Sequence, residues 1–194
     1  MPEQPQPRSV HSRQAIIEAT AGLIGRQGVG GTSVSDIIRT SGTSAGAIYH
    51  HFGSKQEIIV ETARQALHWP MTAIAECFDN PASPADLFGY AVEALRLGPE
   101  LGELLVQLGA GGLTDDELGR ALRAEFSQLR DGLDLTLDSW ARNQGVPQRR
   151  VRGLAQMLVG LILGFAAQRA LVDDFDEGAY EAQGRAMLTA AVAD

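Results

Sequence analysis

The tightest constraint on the fold lies in residues 32–55, TSVSDIIRTSGTSAGAIYHHFGSK, where helix starts and stops follow one another within a few residues. Ser33 with Asp36 three positions on is a capping-box pattern, so a helix starts near Val34. Its apolar positions Val34, Ile37 and Ile38 fall on one face, and Gly42 supplies the left-handed residue that stops it. Ser44 caps a second helix, on which Ile48 and Phe52, spaced i and i+4, make one narrow apolar stripe. Gly53 ends that helix. Ser54 with Glu57 opens a third, placing Lys55 in its first turn.

So narrow a stripe leaves Ala45, Gly46, Ala47, Tyr49, His50 and His51 free to face outward. A helix that only had to be soluble would carry Glu or Lys there, and this one carries neither. Small residues at its start let a partner's backbone come close, and the helix N-terminus attracts phosphate through its amides and dipole. Tyr49 and the histidines add donors of suitable reach. Lys55, the single lysine against fifteen arginines, stands where a phosphate contact would be wanted. This is the outline of a helix-turn-helix that reads DNA.

From residue 13 to about residue 58 the chain resembles the DNA-binding domain of the TetR family of transcriptional regulators. The matching positions are Arg13, Ile16, Ala19, Leu23, Gly28, Thr32, Ile37, Gly42, Ser44, Gly46, Tyr49, His51, Phe52 and Lys55, and the run GAIYHHFGSK at 46–55 is the most diagnostic part. The departures are Val29, Ile38, Ser41 and Thr43. The resemblance implies that residues 44–51 lie in the major groove, with Tyr49, His51 and Lys55 on the sugar–phosphate backbone. Thr32, Val34 and Ser35 would touch phosphate through backbone amides or hydroxyls. Since Ala45, Gly46 and Ala47 offer no bidentate donors, His50, close backbone approach, methyl contacts and DNA shape are left to carry specificity.

The resemblance also implies dimerisation through the last two helices. Two reading heads would then meet DNA roughly 34 to 36 Å apart, or at a multiple of that spacing, on a palindromic site. The expected association residues are Leu154, Leu158, Leu161, Ile162 and Phe165 on one helix, with Tyr180, Ala182, Ala186, Met187 and Ala190 on the other. Residues 157–167 are apolar on all sides and must be covered by neighbours, while Gly160 and Gly164 permit close approach. The middle helices would enclose an effector pocket. Its candidate lining is Trp69, Met71, Phe78, Phe88, Leu105, Phe126, Leu129, Leu133, Trp140 and Phe165, with Gln107 and Gln168 as polar anchors. A lining of this kind favours an apolar small molecule. The implied function is that of a homodimeric, ligand-responsive regulator, a repressor released from its operator by such an effector.

The remaining sequence reads as helix after helix, with no strand-like alternation, so the class is all-α. The expected organisation is a disordered arm at 1–10, a three-helix head at 11–58 and a larger helical body at 59–194 that holds the effector and the dimer partner. A first helix over 11–27 is ended by Gly28. The helix from Lys55 should kink or break at Pro70. Ser83, Pro84 and Asp86 start another, which Gly98 and Pro99 end. A shorter helix reaches about Leu108, GAGG at 109–112 reads as a loop, and Thr114 with Glu117 caps a long helix to about Asn143. Gly145 and Pro147 precede a helix reaching Val172, and the last runs from about Ala179 to Val192.

The net charge of −8 argues at first against a nucleic-acid partner, but it is unevenly divided: residues 1–67 carry +1 and residues 68–194 carry −9. A near-neutral head on an acidic body fits specific binding with weak nonspecific affinity. The Pro-rich opening has no apolar core of a signal peptide, and the apolar run at 157–167 is too short to span a bilayer. The single Cys77 precludes an internal disulfide, fits a reducing cytoplasm and is most simply a buried small hydrophobe. The acidic run DDFDE at 173–177 resembles the magnesium motif of all-α terpene synthases. Without a second such motif it reads as a solvated interhelical loop. No His/Cys spacing matches a zinc site, the glycine runs lack the strand and GK of a phosphate loop, and no catalytic constellation or cofactor site is expected.

Overall fold

The computed structural model describes residues 7–77 and 82–193, with side chains over 10–67 and 82–193. Everything regular in that range is helical: α1 (Pro7–Gly31), α2 (Val34–Ser41), α3 (Ala45–His51), α4 (Lys55–Cys77), α5 (Pro84–Leu97), α6 (Pro99–Thr114), α7 (Asp116–Gln144), α8 (Gln148–Val151), α9 (Leu154–Leu171) and α10 (Glu177–Val192).

The head forms where the caps direct it. Ser33 Oγ accepts from the Asp36 amide at 3.1 Å, and Gly42 ends α2 in the left-handed region at φ 66°. Ser44 Oγ accepts from the Ala47 amide at 3.1 Å to start α3. Phe52 is already extended, so α3 ends one residue before it while its ring stays buried. Helices of eight and seven residues do not persist alone. They are held because Ile37 and Ile48 enter one core with Ile16, Ile17, Leu23, Phe52 and Ile58. Each such side chain contributes about 1.5 to 3 kcal/mol of burial.

Head and body share a second core. Ile24 of α1, Ile59 and Ala63 of α4, Leu104 and Leu108 of α6, and Leu118 and Leu122 of α7 pack together. The head is therefore seated on α6 and α7 and joined to the body by packing as well as by α4. The third and largest core, with Phe88, Val92, Leu137, Leu158, Phe165 and Leu188, binds α5, α7, α9 and α10.

Several boundaries differ from the sequence expectations. Helix α1 begins at Pro7, so residues 7–10 are helical, while 1–6 lie outside the described residues. Gly28 is non-helical at φ 75°, ψ 170° and ends the first run of α1 as expected, but a further turn follows it to Gly31 across a kink. Helix α4 runs through Pro70 to Cys77, since loss of one amide donor there is outvoted by the turns on either side. The GAGG stretch is not a loop: α6 continues to Thr114, and its glycines let α7 lie close. A Cβ on Gly112 would stand 2.6 Å from Leu122 Cδ1, and one on Gly119 would strike the Gly112 carbonyl. With the α6–α7 link reduced to Asp115, it is this carboxylate and not Thr114 that caps α7, accepting from the Glu117 and Leu118 amides at 3.0 and 2.9 Å. The helix expected to reach Val172 is broken at Gly153, φ 84°, into α8 and α9. Among the described residues Gln148–Leu171 is long and apolar enough to cross a membrane by length and composition, contrary to the shorter run read from the sequence. Leu154, Ala155, Leu158, Phe165 and Ala166 of this segment are nevertheless buried core.

Candidate functional site

Helix α3 displays the surface its narrow stripe leaves over. Ser44, Ala45, Gly46, Tyr49 and His50 are exposed, Tyr49 at 63%, and Ala47, His51 and Lys55 are half-buried. The head core holds the opposite side through Ile48, 1% exposed. His50 and His51 rings meet edge to face at 5.1 Å. His51 Nε2 lies 2.7 Å from Ser12 Oγ on α1. Burial, then the neighbouring His50 and Arg13 charges, lower the His51 pKa from its usual value. The contact with Ser12 orients the ring, and burial disfavours its charged form. Val34 and Ser35 are accessible at the start of α2. Thr32 is a correction: it is 1% exposed and its hydroxyl donates to Gly28 O at 2.8 Å, so it braces the α1–α2 turn instead of offering a donor to phosphate.

Behind α3 runs a line of alternating charge that the sequence reading missed, because its members lie on three helices far apart in the chain. The Arg13 guanidinium sits 5.3 Å from the centre of the Phe52 ring and pairs with Glu61 at 2.9 Å. Glu61 pairs with Arg64 at 2.8 Å, and Arg64 Nε donates to Glu125 Oε1 of α7 at 2.9 Å. Burial works to raise the Glu61 carboxyl, but the hydrogen bond and charge of Arg13, joined by Arg64, outweigh it and hold the pKa below its usual value. Nearer the head, Gln56 Nε2 donates to Asp115 Oδ1 at 2.8 Å, tying the first turn of α4 to the cap of α7.

The body holds an apolar cavity of about 70 Å³ that is partly open to solvent. Its wall is Ala66 and Leu67 from α4, Ala91, Ala94 and Leu95 from α5, Leu101 and Leu105 from α6, Phe126, Leu129 and Leu133 from α7, and Val159, Ile162 and Leu163 from α9. Of the expected lining, Leu105, Phe126, Leu129 and Leu133 are on this wall. Trp140 is half-buried against the largest core, away from the lining, and Phe88 and Phe165 are wholly inside that core. Gln107 Oε1 lies 3.1 Å from where a Gly28 Cβ would be, so it packs on the bend of α1. Gln168 is likewise outside the lining. Phe78 lies outside the described residues, as do the side chains of Trp69, Met71 and Cys77. The alanines were not recognisable as wall residues, since what makes a small residue line a cavity is the space opposite it.

The last two helices divide the expected association residues. Leu154, Leu158 and Phe165 are 5%, 0% and 0% exposed within the protomer, so they are core and not surface, a correction that follows from α5 and α7 covering that side of α9. Gly164 is likewise occupied from within: Tyr180 Oη would be 2.6 Å from a Cβ there, and donates to Leu161 O at 3.0 Å. Leu161, Ile162 and Tyr180 are half-buried, while Gly160, Ala182, Ala186, Met187 and Ala190 are exposed. The acidic run is absorbed structurally. Asp176 caps α10 by accepting from the Ala179 amide at 2.9 Å, and Glu177 pairs with Arg96 and Arg169 at 3.1 Å each. Among the described residues no cluster of His, Cys, Asp and Glu could hold a metal ion.

A short capped helix pair presented by a three-helix head, seated on a larger helical body with an apolar cavity, defines the class: an all-α helix-turn-helix protein. Residues 16–62 match the profile of the bacterial regulatory proteins of the tetR family. Over those residues the head is similar to that family. It is similar to the transcriptional repressor KstR2 of Mycobacterium tuberculosis, 33% identical over 92 residues, 45% of this chain and 46% of the relative. The chain thus spans about half the length of the mycobacterial repressors it matches. Similarity to the transcriptional regulator BetI of Agrobacterium fabrum is lower, 26% over 176 residues, but covers 84% of this chain and 85% of the relative. In fold, GusR of Salmonella enterica superposes with a TM-score of 0.78 over 97% of both chains at 19% identity. KstR2 and BetI are named as transcriptional regulators.

Proposed function

We propose that the protein is a cytoplasmic, dimeric transcriptional repressor that leaves a palindromic operator when a small apolar molecule fills the body cavity. The observation that carries the reading is the α3 surface: Tyr49 and His50 stand exposed on a helix with no acidic residue, fixed from behind by Ile48. DNA contact would come from Ser44, Ala45, Gly46, Ala47, Tyr49 and His50, with Lys55, Val34 and Ser35 on phosphate and His51 as the oriented edge.

Dimerisation is supported by α9 and α10. Only 28% of the apolar stretch within Gln148–Leu171 is buried, and a Cβ on Gly160 would meet nothing within 4 Å. An apolar helix left this open needs cover, and the exposed Ala182, Ala186 and Ala190 of α10 let a second copy come close. The effector reading is supported by a wall of aliphatic side chains and one aromatic, Phe126, with no side chain on it to pair with a charge.

The test is selection of bound fragments from random DNA, followed by sequencing. A shared inverted repeat is the expected result, and recovery of unrelated sequences at the frequency of the starting pool would defeat the reading.

A further inference from the structure

The charge line described above joins the cavity to the reading helix, and its geometry suits transmission. Phe126 is on the cavity wall, and Glu125, the preceding residue on α7, is turned about 100° away toward α4. Glu125 is only 7% exposed. A carboxylate so desolvated cannot readily exchange its arginine for water, so when α7 shifts, Arg64 is drawn with it. The Arg64 fork serves two helices at once, Nε to Glu125 of α7 and Nη1 to Glu61 of its own helix. Glu61 in turn holds Arg13 over Phe52, whose amide donates to Ile48 O at 2.8 Å and closes α3. Gln56–Asp115, about 12 Å along α4 from Arg64, is a second tie between the same two helices and serves as the pivot.

We propose that Arg64 and Glu125 are positioning residues for operator binding: they convert displacement of Phe126 by a ligand into displacement of Arg13 and Phe52 at the end of α3. This rests on reading the cavity as the effector site. Arginine is required because a lysine keeps the charge but cannot span both carboxylates in a fixed geometry.

The test uses the full chain, an operator fragment recovered by selection, and pyrene as a neutral apolar probe whose uptake is read from its own fluorescence. Pyrene is expected to weaken wild-type operator binding by about tenfold, within the usual range of allosteric coupling. Glu125→Gln and Arg64→Lys should still melt cooperatively, bind the operator and take up pyrene, yet pyrene should change their affinity by less than about twofold. Arg64→Lys leaves no uncompensated charge beside Glu125 and so serves should Glu125→Gln fail to fold. Glu125→Asp should recover part of the response, which a merely structural role would not require. Undiminished response in variants that take up pyrene overturns the relay while the effector reading stands. A wild-type protein whose operator affinity ignores pyrene overturns the effector reading and the relay with it.

Discussion

His51 Nε2, in the last turn of the reading helix, lies 2.7 Å from Ser12 Oγ in the first helix, thirty-nine residues earlier. The contact fixes the direction of the ring on the face proposed to meet DNA. Ser12→Ala should leave thermal stability nearly unchanged but weaken operator binding by about 1 kcal/mol, roughly fivefold, the net worth of one hydrogen bond. Fluorescence anisotropy on the selected operator measures it; unchanged affinity would remove His51 from the binding surface.

The α6–α7 crossing predicts opposite effects for two glycines. A Cβ on Gly119 strikes the backbone carbonyl of Gly112, which cannot swing aside, whereas one on Gly109 meets nothing within 4 Å. Gly119→Ala should destabilise by about 1 to 3 kcal/mol. Gly109→Ala should stabilise by up to about 1 kcal/mol through helix propensity. Denaturant melts of the two variants decide it, and similar midpoints would mean that the helices do not cross there.

Glu61 predicts a pH dependence. Its folded pKa lies below the usual 4.5, so its contribution is present above that value and is lost as pH falls through the folded value. Glu61→Gln should cost about 1 kcal/mol near neutral pH, discounted for the partly exposed Arg13, and the gap from wild type should close as pH falls through the lowered folded value. Urea melts across that range provide the measurement. A gap independent of pH would show that Glu61 contributes through packing alone.

Ala186 is exposed on α10 and has no role in the protomer core. Ala186→Glu should therefore leave the helical circular dichroism intact, give a monomer in light scattering and lower operator affinity by roughly 100-fold or more as the second head is lost. A variant that remained dimeric would move the association surface elsewhere.

Much of the head was legible in sequence because its signals are local. Ser33, Gly42, Ser44 and Ser54 set helix ends through contacts three or four residues away, and the i, i+4 spacing of Ile48 and Phe52 shows which face is buried whatever lies across it. Glycines in the body misled for the converse reason. At Gly111, Gly112 and Gly119 the missing side chain makes room for another helix, and nothing in the neighbouring residues tells that apart from a turn. The four cavity residues anticipated were large and apolar, while the alanines of α4 and α5 gave no signal of their own.

By itself, then, the order of caps, glycines and apolar positions determined an all-α chain with a short helix pair offering Tyr49 and His50, since hydrogen bonds within a turn and burial on one stripe depend on near neighbours. Only the packed structure decided that Thr32 and Phe165 are internal, that α6 runs on through its glycines, and that Arg13, Glu61, Arg64 and Glu125 form one line. Those outcomes depend on which helices meet and how closely, and on the desolvation their contact imposes, which arise only when distant parts of the chain share a core.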